Sequence, residues 1–308
     1  YSPKLSMLYK LNPQHQFRLS IGQGFKAPDF RQLFLDFTNA AAGSYSVFGS
    51  AQAQQVIARL NALGQIGNLF PNYNLLKALK PEYSNGMHFT WDWKINPSSA
   101  LSLQLFRNDI KNLIESQQVG TYISGAQIFS YLNIGRAFTT GFEVEGQHRF
   151  NANWSINGGY QYLRTGDKDQ IAAIKSGTVY SKNSQGYSRL MKLNEYVGLP
   201  NTSTHKLQVK LNYNSPKGHY LNVRAIYRSR WAVNNNNGNE VFDNGDVFAS
   251  GYVAINSAAG KSFKNGVSIQ GGIDNITNYI DAANLPNLPG RTFYTSIKYE
   301  LQRKNKIK

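Results

Sequence analysis

The stretch Met87-His88-Phe89-Thr90-Trp91-Asp92-Trp93-Lys94-Ile95 decides the fold. Its odd positions are large and apolar: Met87, Phe89, Trp91, Trp93 and Ile95. Its even positions, His88, Thr90, Asp92 and Lys94, are polar or charged. Successive side chains of a strand point to opposite faces, so this period of two makes a ribbon with one oily side and one wet side. The pattern recurs along the chain. Leu207, Val209, Leu211 and Tyr213 stand against Lys206, Gln208, Lys210 and Asn212, and Phe142 and Val144 against Glu143 and Glu145. Leu221, Val223 and Tyr227 face away from Asn222, Arg224 and Arg228. The last segment sets Phe293, Ile297, Tyr299 and Leu301 against Tyr294, Ser296, Lys298 and Glu300.

Between these segments the connections alternate in length. Residues 12–14, 96–99, 151–153, 215–218 and 264–266 read as short turns, and residues 27–81, 115–126, 165–203, 233–249 and 277–289 as long loops. A soluble sandwich also alternates, but it gives no reason for long loops on one side only. Outer-membrane barrels have this asymmetry, with short periplasmic turns and long extracellular loops. The expected fold is therefore all-β, a transmembrane antiparallel β-barrel, with about eleven strands in this chain. The last strand would run from outside to periplasm, and parity makes the first strand run inward too. A bacterial barrel needs an even strand number and no open edge, so part of a larger barrel is expected. On this reading residues 1–302 are barrel and residues 303–308 a basic periplasmic tail.

Composition agrees. Hydrophobic residues make up 41% of 308, mean hydropathy is -0.44, and no apolar run approaches the roughly 18 residues of a spanning helix. The 19 Tyr, 17 Phe and 4 Trp suit strands. With no cysteine there is no disulfide framework, thiolate metal site or cysteine nucleophile. The formal net charge of +16 is spread over many strands and loops. No basic helix or RNA-binding aromatic motif accompanies it, so no nucleic-acid partner is expected. Outer-membrane lipid, phosphorylated lipopolysaccharide, or anionic ligands entering a polar lumen account for it equally.

Several stretches carry a resemblance. They are Gly24-Phe25-Lys26-Ala27-Pro28, Pro71-Asn72-Tyr73-Asn74-Leu75, Leu79-Lys80-Pro81-Glu82 and Phe106-Arg107-Asn108-Asp109-Ile110-Lys111-Asn112-Leu113-Ile114. Asn133-Ile134-Gly135-Arg136-Ala137 leads on to Gly141-Phe142-Glu143-Val144-Glu145. Asp274-Asn275-Ile276-Thr277-Asn278-Tyr279 and Pro289-Gly290-Arg291-Thr292-Phe293-Tyr294 follow. In this order and spacing they resemble the C-terminal half of the barrel of TonB-dependent outer-membrane receptors. The resemblance implies a twenty-two-stranded barrel filled by an N-terminal plug, with the plug absent from this chain. It implies active import of a scarce bulky nutrient, such as haem, a ferric siderophore or cobalamin, across the outer membrane of a Gram-negative cell. The energising partner would be the TonB-ExbB-ExbD complex, reached through the missing part, and a surface lipoprotein could dock outside. A passive porin is the alternative outside the family.

No enzyme is expected: no G-x-S-x-G, H-E-x-x-H or phosphate-cradling glycine loop stands on a suitable turn. Glu143 and Glu145 share one strand face and read as lumen residues. The resemblance makes haem the natural test, because haem-importing members carry a histidine between the Gly24–Pro28 and Pro71–Leu75 boxes, and none lies there. Tyr45 and Tyr73 offer the phenolate alternative. By parity His88 faces the lumen and His148 and His205 the lipid, while His15 and His219 adjoin turns. A helix is expected over residues 51–63, with Val56, Ile57, Leu60 and Leu63 at helical spacing. Phe34, Phe37 and Phe48 are candidate walls for a flat apolar ligand. In residues 234–246, Asn235, Asn237, Asn239, Asp243 and Asp246 fall at positions 1, 3, 5, 9 and 12 of a calcium loop, although position 6 is Glu240 rather than glycine. An asparagine-rich turn is the other reading.

Overall fold

The computed structural model describes residues 1–39, 45–183, 185–235, 239 and 241–300, so the tail at 303–308 lies outside the described residues. Eleven antiparallel strands pair with their neighbours in chain order within one sheet. They are β1 (Lys4–Lys10), β2 (His15–Lys26), β3 (Glu82–Asn96), β4 (Ser99–Tyr122), β5 (Gln127–Arg149), β6 (Trp154–Asp167), β7 (His205–Asn214), β8 (His219–Arg228), β9 (Tyr252–Ser262), β10 (Val267–Asp274) and β11 (Thr292–Tyr299). The number is the one the alternation predicts. No helix among the described residues is long and apolar enough to cross a membrane.

Register carries the two-sided pattern across the whole sheet. Trp91 pairs with Phe17 and Leu103, and the row continues through Val144, Tyr160, Leu207, Tyr227 and Val253. The adjacent row, on the other face, runs Arg18, Thr90, Gln104, Glu143, Gln161, Lys206 and Arg228. A one-residue slip anywhere would exchange these faces, so the register is strongly specified.

At the short-turn edge the apolar face ends in an aromatic belt. His15 stacks on Trp91 and Trp93 at 5.9 and 5.7 Å, and Trp154 meets Tyr213 at 4.8 Å. Near the other edge Phe25 meets Tyr83 at 5.4 Å and Phe142 stacks on Tyr162 at 5.6 Å. Along β3 the belts are the distance from Tyr83 to Trp93. At ~3.3 Å per residue and a ~40° tilt that is about 25 Å of height, the thickness of an outer-membrane apolar band. His148 and His205 lie on this face as parity predicts, hydrogen-bonded to Ser99 Oγ (2.7 Å) and the Tyr160 hydroxyl (2.8 Å).

The short turns are built alike. Asn12 Oδ1 accepts from the amides of Gln14 and His15, Asn96 Oδ1 from Ser98, and Asn151 Oδ1 from Asn153 and Trp154. Ser215 Oγ and Asn265 Oδ1 accept from Lys217 and Val267 in the same way. These side chains stand in for the backbone carbonyl of a turn, which is why Asn and Ser mark the positions. In the last two of these turns Gly218 and Gly266, at φ 82° and 86°, supply a left-handed residue.

Among the described residues β1 and β11 each pair on one side only, and every residue of both is exposed.

One loop expectation is overturned. Residues 115–126 are not a long loop: β4 and β5, at 24 and 23 residues, continue as a paired hairpin to a turn at 123–126. The projecting part is covered by the insertion between β2 and β3, which removes the lipid-facing alternation that marks the strands elsewhere. That insertion holds helices α1 (Phe30–Phe34) and α2 (Ser50–Ala62) with three short strands. Strand Tyr45–Phe48 adds to β5 in parallel and strand Ile66–Leu69 to β4 antiparallel. A helix α3 (Lys168–Lys175) lies between β6 and β7.

Candidate ligand-binding site

The sequence signatures meet at the long-loop edge. Glu82, first residue of β3, takes the Lys26 ammonium at 3.3 Å and the Ile114 amide at 2.9 Å on its Oε1. Asn133 grips the chain just before β3 with both ends of its amide. Its Oδ1 accepts from the Lys80 amide at 2.7 Å, and its Nδ2 donates to the carbonyls of Lys80 (2.9 Å) and Asn112 (2.7 Å). Asn112, held at φ 56°, donates to the Pro81 carbonyl at 3.2 Å. Asparagine tolerates that left-handed backbone better than most residues, and its short amide reaches neighbouring main chain. Four motifs far apart in sequence thus form one clamp that fixes where the β2–β3 insertion re-enters the sheet. A second knot closes the C-terminal end. Asn275 Nδ2 donates to the carbonyls of Tyr279 and Pro289 at 2.7 and 2.9 Å, and Arg291 Nη2 to Ile276 O at 2.6 Å. These signatures hold architecture.

Above the clamp the insertion forms a platform. Ala53 and Ile57 of α2 are fully buried against Phe48, Leu76, Val119, Ile128 and Leu132, with Val56, Leu60, Tyr73 and Tyr122 packed around them. The helix spans Ser50–Ala62 where 51–63 was expected; the apolar stripe packs inward, while Leu63 caps the end and is 61% exposed. Ser46 joins the Thr38 hydroxyl (2.9 Å) to the Tyr122 hydroxyl (3.0 Å) beneath.

Strand alternation divides the candidate ligand residues. Phe48 points into this core, and Tyr73 packs against it. Phe37, Tyr45 and Phe129 share the opposite face, with ring centroids 6.0 and 6.2 Å apart. Phe34 lies at the edge in contact with Phe30 at 5.0 Å, and both are exposed. Of the five aromatic candidates, Phe34, Phe37 and Tyr45 are thus presented outward. Phe129, which the sequence did not single out, completes the face, and Phe30 accompanies Phe34 at the edge.

A second platform forms where the 168–204 and 229–251 segments pack, through Ile174, Met191 and Val241. Asp167 caps α3 by accepting from the amides of Asp169 (2.6 Å) and Gln170 (3.1 Å). Burial pushes the Tyr196 hydroxyl up to about 12, while it accepts from the Asp167 amide at 2.8 Å. The contact with Arg189, then the Lys192 amide, hold Glu195 down to about 2. The candidate calcium oxygens lie here, with Asn237 outside the described residues. Asp243 accepts from Ser181 Oγ (2.6 Å) and the Gly245 amide (2.7 Å), and Asp246 from the Asp243 amide (2.8 Å). Asn239 Oδ1 accepts from the Val241 amide at 2.9 Å, and Asn235 donates to the Val241 carbonyl at 3.1 Å. Among the described residues no group of three or more acidic or histidine side chains is placed to hold a metal.

The family model described as TonB dependent receptor-like, beta-barrel, matches residues 1–276. The chain belongs to the TonB-dependent receptor family. Solved structures with the same wall include the siderophore receptor PirA of Pseudomonas aeruginosa, at 15% identity and TM-score 0.61, covering 97% of this chain and 41% of that one. A variant of the ferric enterobactin receptor PfeA from the same species matches at 18% and 0.64, over 97% and 40%. The ferric-catecholate import receptor Fiu of Escherichia coli K12 matches at 16% and 0.56, over 96% and 34%. The chain thus spans about two fifths of the length of the first of these receptors. No curated protein matches.

In a TonB-dependent receptor barrel the polar face looks inward. His88 is on that face, stacked near Phe106 at 6.4 Å, beside a shallow cavity of about 480 Å³ lined by Arg18, Ser20, Thr90 and Gln104. It stands well below the aromatic platform, so the six residues expected to bind ligand divide among an outer face, a core and the inner wall. TonB-dependent receptors are transporters, which agrees with the absence of a catalytic motif.

Proposed function

We propose that the complete receptor imports an iron chelate with planar aromatic groups across the bacterial outer membrane, driven through TonB. The observation that carries this reading is the row Phe37, Tyr45 and Phe129, the first exposed and the other two half-buried, fixed on a platform that is itself welded to two strands of the wall. Aromatic rings held on rigid strands present flat area at low entropic cost, which suits a catecholate ligand. The neighbours that are siderophore receptors support the same class. The passive porin loses its ground with the family match; cobalamin is the remaining alternative within the family.

Haem is the narrower reading. Tyr73 is half-buried against the platform core, which leaves Tyr45 as the phenolate on the outer face. A plug, the TonB-ExbB-ExbD complex and a surface lipoprotein belong to this proposal as partners of the whole receptor. Binding by the complete receptor in detergent tests it. Quenching of aromatic fluorescence by a ferric catecholate should be saturable and weakened by Phe37→Ala with Phe129→Ala. Undiminished binding in that variant overturns the role of the face, and a Soret shift lost in Tyr45→Phe would instead favour haem.

A further inference from the structure

We propose that Glu115 is a proton-operated latch between the two loop platforms: protonated, it lets the clamp at the start of β3 and the cap of α3 close on the projecting hairpin, and ionised, it loosens both. The proposal goes beyond the chelate reading and holds whatever the cargo. Glu115 follows Ile114 on β4, whose amide donates to Glu82 at 2.9 Å. It pairs with Leu132, the neighbour of Asn133 in the clamp. α3 begins against the same stretch of β5, where the Arg136 amide donates to Asp169 Oδ2 at 3.2 Å and Asp167 caps the helix. Glu115 thus sits where the first platform, the re-entry of the β2–β3 insertion and the second platform meet.

The surroundings of Glu115 favour its neutral form. The side chain is half-buried, and its carboxyl has no ion pair or hydrogen bond among the described residues. The carboxylates beside it are already committed. Glu82 holds Lys26 and the Ile114 amide, and buried Asp167 holds two amides of α3. The cations of the packed elements are committed as well or turned to solvent. Lys26 goes to Glu82, Lys168 to Asp109 and Arg136 to Asp169, while Lys80 and Lys111 are exposed. The Tyr196 hydroxyl, at the Asp167 amide, stays protonated because burial pushes it up to about 12. Burial, then the charges of Asp167 and Glu82, push the Glu115 carboxyl above its ordinary 4.5. The folded junction therefore holds the proton more tightly than the unfolded chain does. Its stability is complete below pH 4.5 and falls as pH rises through the raised value, where a half-buried charge must sit beside two like charges.

The test is amide exchange of the complete receptor in detergent from about pH 5 to about pH 8, with the intrinsic pH dependence of exchange divided out. In the parent, protection at residues 80–82 and 167–170 should fall several-fold together as pH rises, while β7 to β11 stay level. Glu115→Gln, which keeps the shape of the neutral acid, should hold both segments at their acid-side protection throughout. At the alkaline end that variant should therefore be better protected than the parent. A flat parent profile overturns the proposal. So does a Glu115→Gln profile with the parent's slope, which is what a packing role alone would give, and so does loosening of one segment without the other. A heat-modifiable band verifies each barrel; if Glu115→Gln lacks one, Glu115→Ala, which also removes the charge, is read by the same criteria.

Discussion

Ile57→Ala separates platform from wall. Ile57 is fully buried at the centre of the cluster that joins α2 to the projecting hairpin of β4 and β5. The substitution removes three carbons, about 2.4 kcal/mol of transfer free energy at ~0.8 per methylene, and leaves a cavity between helix and hairpin. The total falls within the 2–5 kcal/mol found for such truncations, at about 3 kcal/mol. None of this belongs to the membrane-embedded rows, so the loss should appear as local opening. Amide exchange across residues 45–62 and 115–132 should quicken by about a hundredfold, at ~1.4 kcal/mol per decade. Exchange in β7 to β11 should stay as before, and the heat-modifiable band should persist. Unchanged exchange in the platform would refute the packing argument. Loss of the folded band would show that platform and wall unfold together.

Further outcomes follow from the other contacts. Asn133→Ala strips three main-chain groups of their partner and should cost about 1–3 kcal/mol locally, read as faster exchange at residues 80–82 and 112–114; Asn133→Asp, which keeps the acceptor but loses both donated bonds, should fall between. Glu195 has a folded pKa of about 2, below its ordinary 4.5. Its stabilising contribution is therefore complete above pH 4.5 and lost as pH falls toward 2, so exchange at residues 189–196 should rise in that window, and Arg189→Gln should flatten the profile. Calcium added to the receptor should leave exchange at residues 239–246 unchanged, because Asp243 and Asp246 oxygens accept hydrogen bonds from Ser181, Gly245 and the Asp243 amide; marked protection at micromolar calcium would support the calcium reading.

The wall was legible in the sequence because lipid on one side and a polar lumen on the other impose a period of two, which Met87 to Ile95 states without interruption. The short turns were legible for a local reason, an Asn or Ser whose side chain closes the turn. Legibility stopped where a third surface intervenes. Glu115-Ser116-Gln117-Gln118 reads as a loop, yet it is strand, because its neighbours Val119 and Ile128 are buried by α2 rather than turned to lipid. The aromatic candidates failed to separate for a similar reason. Phe37 and Phe48 are close in sequence, and only their pairing in one hairpin puts one outward and the other into the core. Asn112 and Asn133 were visible as motif letters, but the clamp they form requires four segments at once.

The central claim is that one wall divides lipid from lumen. Because this chain has no cysteine, single cysteines can be placed in turn at Met87, His88, Phe89, Thr90, Trp91 and Asp92 of the complete receptor. Each is labelled in membranes with a water-soluble thiol reagent and, separately, with a fluorophore quenched by brominated lipid. The account predicts strict alternation, with lipid quenching at the odd positions and aqueous labelling at the even ones. Uniform labelling along the stretch, or alternation in the opposite phase, would contradict it.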